Sequence, residues 1–251
     1  MSSQLIDNRK IIDGVVATPG TNTNTWYTRE LNGSFSVNGS FNGAEAVFDW
    51  VLNKTSDSKF IKAGVVKMSS SKKSLQVQFD TSFPDNNYYV FFLQNSNVSS
   101  WWLEKKVNRF VIAGSWELGQ EVSWLAIHRD FARKTGIQNP GTIFAGSRTM
   151  DGLTPDISGA ATLDITDDEH SNLNSWYNNE YIIEPTTGIP DNFQQLPNLE
   201  EYSIILSTNN NINTYWVEKA NDRFKIATSF DQACIIDYLM IKKGIDWWNE
   251  F

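Results

Sequence analysis

The chain has 251 residues, a formal net charge of −8 and a pI near 4.8. That balance excludes the basic footprint of a nucleic-acid partner and the polybasic patch of a membrane-surface contact, and no apolar run approaches the ~20 residues of a membrane-spanning helix. A single cysteine, Cys234, rules out an intrachain disulfide, and 10 Trp among abundant Asn, Ser and Thr give the composition of strands and turns.

After Met1 the chain reads SSQLIDNRK, with neither the basic nor the apolar region of a secretory signal, so assembly in the cytoplasm is expected. Residues 1–59 read as an irregular N-terminal arm or a partial sheet. NGSFSVNGSFNG at 32–43 carries three Asn-Gly pairs, the chemistry of type I′ hairpin turns, and favours short strands. Ala44–Asn53 also fits a three-turn helix with Ala44, Val47, Phe48 and Val51 on one face, and both readings stand. Residues 60–132 form a first β-sandwich. Ile61–Met68 is a strand and Ser69–Lys73 a polar turn. Leu75, Val77 and Phe79 alternate with Gln76, Gln78 and Asp80, as in a half-buried strand. Tyr88–Leu93 is apolar on both faces and reads as a central strand. Phe110–Ala113 and Val122–His128 close the unit. A linker at 133–140 leads to a second sandwich over 141–244, in which Ala160–Ile165 matches the Leu75–Phe79 strand. A long loop, 167–199, holds Trp176 and Tyr177, and loops of that length are usually functional or meet a partner. The tail at 245–251 ends in Trp247, Trp248 and Phe251. Three aromatics at a chain end must dock, on the chain's own sheet or on a neighbour.

The two sandwiches are copies. Residues 88–130 align on 202–244 without a gap, with 13 identities over 43 positions and a constant offset of 114. Trp102, Glu104, Lys105, Arg109, Phe110 and Ile112 recur as Trp216, Glu218, Lys219, Arg223, Phe224 and Ile226. The fold class is therefore all-β, two tandem antiparallel sandwiches from an internal duplication. Residues 1–60 match neither copy.

The duplicated unit has a GVV strand, an alternating strand ending in F-x-x-x-F-P, an apolar strand, N-x-F-x-I, and S-W followed by W-L-A-I. In this order it resembles the H-type lectin domain of snail agglutinins and discoidin C-terminal domains, and similar modules of bacteriophage tail and fibre proteins. The resemblance covers about 60–130 and, more faintly, 141–244. It implies a six-stranded sandwich, trimeric assembly, and sugar held by an aromatic–His pair before the last strand. The matching positions are Trp116 and Glu117, and Phe230 and Asp231. The His is missing from both, and an ordinary core role for Trp116 and Phe230 is the competing reading.

No catalytic constellation recurs in the copies. The acidic group Asp164, Asp167, Asp168, Glu169 and His170 lacks the glycine-turned pattern of a calcium loop, so no metal and no cofactor are expected. Cys234 sits in an apolar run as a small hydrophobe. Glu104 and Arg109 are expected to pair, with an interprotomer role as the alternative. The leading expectation is a non-enzymatic structural protein of a bacteriophage virion (neck, tail, fibre or capsid decoration). It would be a homo-oligomer, trimeric by the resemblance, partnered by other virion proteins and using Trp247, Trp248, Phe251, Trp176 and Tyr177 at interfaces. A carbohydrate-binding adhesin for host glycans is the alternative, and a polysaccharide hydrolase a second one.

Overall fold

The computed structural model describes residues 2–6, 13–29, 34–40, 47–131, 143–150, 161–163, 181–183, 199–219, 224–229 and 233–244. It is all-β. The first stretch holds β1 (Ser2–Ile6), β2 (Gly14–Pro19), β3 (Thr25–Arg29), β4 (Phe35–Gly39) and β5 (Phe48–Asn53). The next holds β6 (Ser56–Asp57), β7 (Ile61–Lys67), β8 (Lys72–Gln78), β9 (Tyr88–Gln94), β10 (Ser100–Lys106), β11 (Arg109–Trp116) and β12 (Glu121–His128). The last holds β13 (Ile143–Met150), β14 (Ala161–Leu163), β15 (Tyr181–Ile183), β16 (Tyr202–Thr208), β17 (Thr214–Lys219), β18 (Phe224–Thr228) and β19 (Cys234–Lys242).

The middle unit is the sandwich expected. Sheet β6-β7-β12-β9 faces sheet β10-β11-β8 across a core that includes Leu75, Val77, Phe79, Phe83, Tyr88, Phe110, Ile112, Trp116 and Trp124. The alternation read in Leu75 and Val77 points both inward. Rings meet edge to face, with Phe79 and Phe83 at 5.2 Å and Phe110 and Trp124 at 5.5 Å. Gly64 on β7 lies opposite Trp124, where an added Cβ would stand 3.2 Å from the indole. At the matching Gly146 on β13 it would stand 2.3 Å from the Tyr238 hydroxyl. Glycine inside a strand here makes room for a ring.

The C-terminal unit repeats this wiring in register. Trp102 pairs with Ile112 and Trp216 with Ile226, and both ladders slip at the next step, before Glu104 and before Glu218. Leu163 pairs with Ile226 as Leu75 pairs with Ile112, so over Ala161–Leu163, the described part of 160–165, the match to the β8 strand holds. Within the 167–199 span, Tyr181–Ile183 forms a strand on β18.

The N-terminal segment departs from the arm expected and takes its partial-sheet form much further: it is a third copy. Val16 pairs with Val51, Phe91 with Leu125, and Ile205 with Leu239. Trp26 pairs with Asn38, Trp101 with Ala113, and Tyr215 with Ala227. β1 lies on β4 as β8 lies on β11. Subtracting Val15 from Val90 gives 75, which holds through β4 and becomes 74 at β5, since Leu125 minus Val51 is 74. The helical reading of 44–53 fails over Phe48–Asn53, which is strand: Phe48 and Val51 are buried, but by packing between sheets rather than along a helix face. Among the described residues this unit has no counterpart of β7.

The three units close into a ring. The last strand of each lies against the first repeated strand of another: β5 against β16, β19 against β9, and β12 against β2. A second cycle closes in the opposite sense through β3 and β9, β10 and β16, and β17 and β2. At the centre the equivalent residues Val16, Phe91 and Ile205, with Val51, Leu125 and Leu239, share one core. The molecule is thus a pseudo-threefold trimer of related units in one chain. This explains why Tyr88–Leu93 is apolar on both faces although β9 is at the edge of its sheet: one face meets its own sandwich and the other meets the axial core.

Candidate functional site

At one end of the axis lies a cup of about 70 Å³, roomy enough for several ordered waters. Its wall consists of six positions, each contributed three times. Ala17, Phe92 and Leu206 form one set, Thr25, Ser100 and Thr214 another, and Asn24, Ser99 and Asn213 a third. None of its lining residues carries an ionisable side chain. The cup offers hydroxyls, amides and apolar surface, so its chemistry is hydrogen bonding and shape rather than proton transfer.

Three loops of equal length form the rim, 20–24, 95–99 and 209–213. Each is pinned to the last strand of its unit by the same backbone bond: Gly20 N–H to the Val47 carbonyl (2.9 Å), Asn95 to Glu121 (2.9 Å) and Asn209 to Ile235 (3.2 Å). The Asn95 and Asn209 side-chain oxygens accept back from the N–H groups of Glu121 (2.7 Å) and Ile235 (2.6 Å). The loop tips expose Asn22, Asn97 and Asn211, three equivalent asparagines. Gln94 ties two units together by donating to the Thr25 carbonyl at 3.1 Å, and Ser100 donates to Gln94 Oε1 at 2.7 Å. The Thr25 hydroxyl, on a residue 8% exposed, has no hydrogen-bond partner.

Buried ion pairs clamp two of the three seams. Lys105 of the middle unit reaches Asp237 of the C-terminal unit at 2.5 Å, and Lys219 of the C-terminal unit reaches Asp49 of the N-terminal unit at 2.5 Å. The geometry around the two lysines repeats. Each donates to a carbonyl on the first repeated strand of its own unit, Tyr88 at 3.2 Å and Tyr202 at 3.1 Å, and lies over an indole, Trp102 at 4.2 Å and Trp216 at 4.5 Å. The carboxylates cap edge strands. Asp237 accepts from the Val90 N–H (3.1 Å) on β9, and Asp49 from the Ile204 N–H (2.8 Å) on β16. Exposed edge groups that would template aggregation are thereby satisfied inside the ring. Burial pushes the Asp49 carboxyl above its ordinary range and the Lys219 ammonium below its own, each charge opposing the other's shift. Among the described residues the third seam has no such pair. Ser123 stands where the other units have Asp49 and Asp237, and donates to Asn53 Oδ1 at 3.4 Å, while Asn53 donates to the Trp124 carbonyl at 3.2 Å. The lysine position corresponds by offset to Glu30, outside the described residues.

The sequence candidates fare unevenly. Trp116 is 1% exposed inside the middle core, so its ring offers no face to a sugar and the core reading is correct. Glu117 is exposed, its N–H donating to Gln120 at 2.9 Å. Phe230, Asp231, Trp176, Tyr177, Trp247, Trp248, Phe251, the group from Asp164 to His170, and the 133–140 linker lie outside the described residues. Glu104 sits 2.7 Å from Lys106 and 3.5 Å from Arg109, and Lys106 foremost holds its carboxyl below the usual range. Cys234 is buried, and burial pushes its thiol up to about 11. Among the described residues no helix is long and apolar enough to cross a membrane, and no cluster of three or more metal-ligating side chains occurs. Residue reading missed the cup and the clamps. The available signal was Asn22-Thr-Asn-Thr, Asn97-Val-Ser-Ser and Asn211-Ile-Asn-Thr, each ahead of an aromatic.

A second threefold set lies on β3, β10 and β17, where Trp26, Trp101 and Tyr215 are partly buried at one equivalent position. No family model, curated protein or solved structure matches the chain.

Proposed function

We propose that the chain is a non-catalytic assembly protein of a bacteriophage particle (a neck, tail, fibre or decoration component) built as a trimer fused into one polypeptide. The observation that carries the assembly reading is the closed ring: three related units meet through equivalent strands, an equivalent core and repeated clamps. The virion assignment draws on the resemblance of each unit to lectin-like tail and fibre modules. The neutral cup suits recognition, since general acid–base work needs a titratable group in reach. Threefold packing that the sequence reading assigns to three chains is supplied here by one.

Light scattering on the purified chain should give the mass of one polypeptide, 28.5 kDa, at micromolar concentration. A mass three times larger would mean that the ring is not the complete unit. Mass spectrometry of purified particles from the source should find the chain as a stoichiometric component, and its absence there would remove the virion assignment.

Glycan adhesion is a second reading, favoured by Trp26, Trp101 and Tyr215. A partly exposed ring repeated at three equivalent positions can stack on the C–H face of a sugar and bind multivalently. A glycan array should then give a hit that weakens at least tenfold in Trp101→Ala. An array with no hit would leave these rings as surface packing.

A further inference from the structure

We infer that the cup end of the molecule is a docking face for the axial end of a homotrimeric protein, one copy of this chain to three of the partner. The inference rests on the fused-trimer reading and adds its partner. Loop tips are where repeated units lose resemblance first, because little in the fold constrains them. The copies have diverged elsewhere: over 14–41 the first shares only six of 28 residues with the second. Yet all three rim loops keep one length, and all three keep an exposed asparagine at the tip, Asn22, Asn97 and Asn211.

Turn geometry accounts for part of this: Asn97 and Asn211 sit in tight turns closed by the Val98 and Ile212 N–H groups, and Asn22 Oδ1 accepts from the Asn213 side chain at 3.3 Å. Those contacts differ between loops, whereas a partner that presents the same surface three times around an axis would use the same exposed residue in all three. Each asparagine would meet the same residue of a different partner chain, as a closed cyclic assembly requires. The cup supplies the centre of the contact. Its neutral lining and the unpartnered Thr25 hydroxyl suit a small polar group brought in along the axis, and neither calls for a charged occupant. Recognition of this type depends on shape and amide hydrogen bonds, so salt should weaken it little.

The test takes the full chain, and each homotrimeric protein encoded in the same genome purified singly, and reads binding by native mass spectrometry. Expected is a complex of one chain with three partner chains, stable from 50 to 500 mM salt. Asn22→Lys, Asn97→Lys and Asn211→Lys together should weaken it at least tenfold without changing the mass or the melting temperature of the chain alone. No complex with any of these proteins, a complex at another stoichiometry, or one indifferent to the triple substitution would overturn the inference while leaving a 28.5 kDa monomer, and with it the fused-trimer reading, intact. A chain that trimerises by itself would remove both.

Discussion

Lys62 is fully buried on β7, its ammonium over the rings of Phe79 (5.3 Å) and Phe83 (5.0 Å) and paired with Asp57 on β6. Burial works against the Asp57 charge, but hydrogen bonds from Lys62 and Thr81 outweigh it and hold its carboxyl below the ordinary value. The folded pKa is lower than the unfolded one, so this group adds stability above pH ~4 that is lost as pH falls through the folded value. Asp57→Asn strands a buried ammonium and should cost about 3 kcal/mol at pH 7 in urea unfolding, with a flatter profile below pH ~4. The seam clamps follow the same logic. Asp237→Asn should cost about 3–5 kcal/mol, whereas Asp237→Asn with Lys105→Met should recover most of it, because the uncompensated charge goes with its partner. A double variant as weak as the single one would show that the carboxylate matters for capping β9 rather than for charge. Residue reading found the right motif here, and the expected pair of Glu104 with Arg109 is present at 3.5 Å, but it missed what the lysine does. Glu104, Lys105 and Arg109 recur as a group, yet the lysine, taken only as part of that motif, is the member that crosses a seam. Its partner Asp237 is far away in sequence, and nothing local announces that it is buried.

Among elements, the N-terminal strands change meaning most. An arm could be removed without harm to the two sandwiches. β2 and β5, however, put Val16 and Val51 into the shared core beside Phe91, Leu125, Ile205 and Leu239. Deleting 1–53 should therefore expose those residues, giving aggregation or a loss of cooperative unfolding, visible by calorimetry and dye binding. A soluble deletion variant with unchanged melting would refute the shared core. Short strands were legible here only as an expectation drawn from the Asn-Gly pairs of 32–43, and Asn38-Gly39 lies inside β4 rather than at a hairpin turn. The third copy was not, because the scattered identities Val15, Asn22, Trp26, Phe35, Gly39 and Ser40 sink below recognition once a one-residue insertion shifts β5. The helical alternative for 44–53 arose since a strand buried on both sides has no clean period of two. The seam without a described clamp offers a test. Gly14 lies so close to Ser123 that an added Cβ would stand 2.2 Å from its hydroxyl, so the two units meet there through small groups. Ser123→Asp puts a carboxylate among these small groups with no described lysine opposite it, and the variant should unfold at lower urea than the parent.

For the molecule as a whole, closure into a ring sets both stability and recognition. Each unit covers the edge strand and the second apolar face of another, so none is complete alone, and unfolding should be one cooperative transition despite the domain-like offset of 114 in the sequence. Scanning calorimetry should show a single peak whose calorimetric and van't Hoff enthalpies agree. Two resolved peaks would mean that the seams are weaker than the sandwiches. Fusing the units also alters how the cup responds to mutation. Where three identical chains surround an axis, one codon change is felt three times, and most changes at such a crowded point are ruinous. Here it is felt once. The cup level that holds Thr23 in one unit holds Val98 and Ile212 in the others, and Pro19, Gln94 and Thr208 differ even more. The wall can thus drift one panel at a time, becoming lopsided enough to accept an off-axis group while the rim keeps its threefold outline.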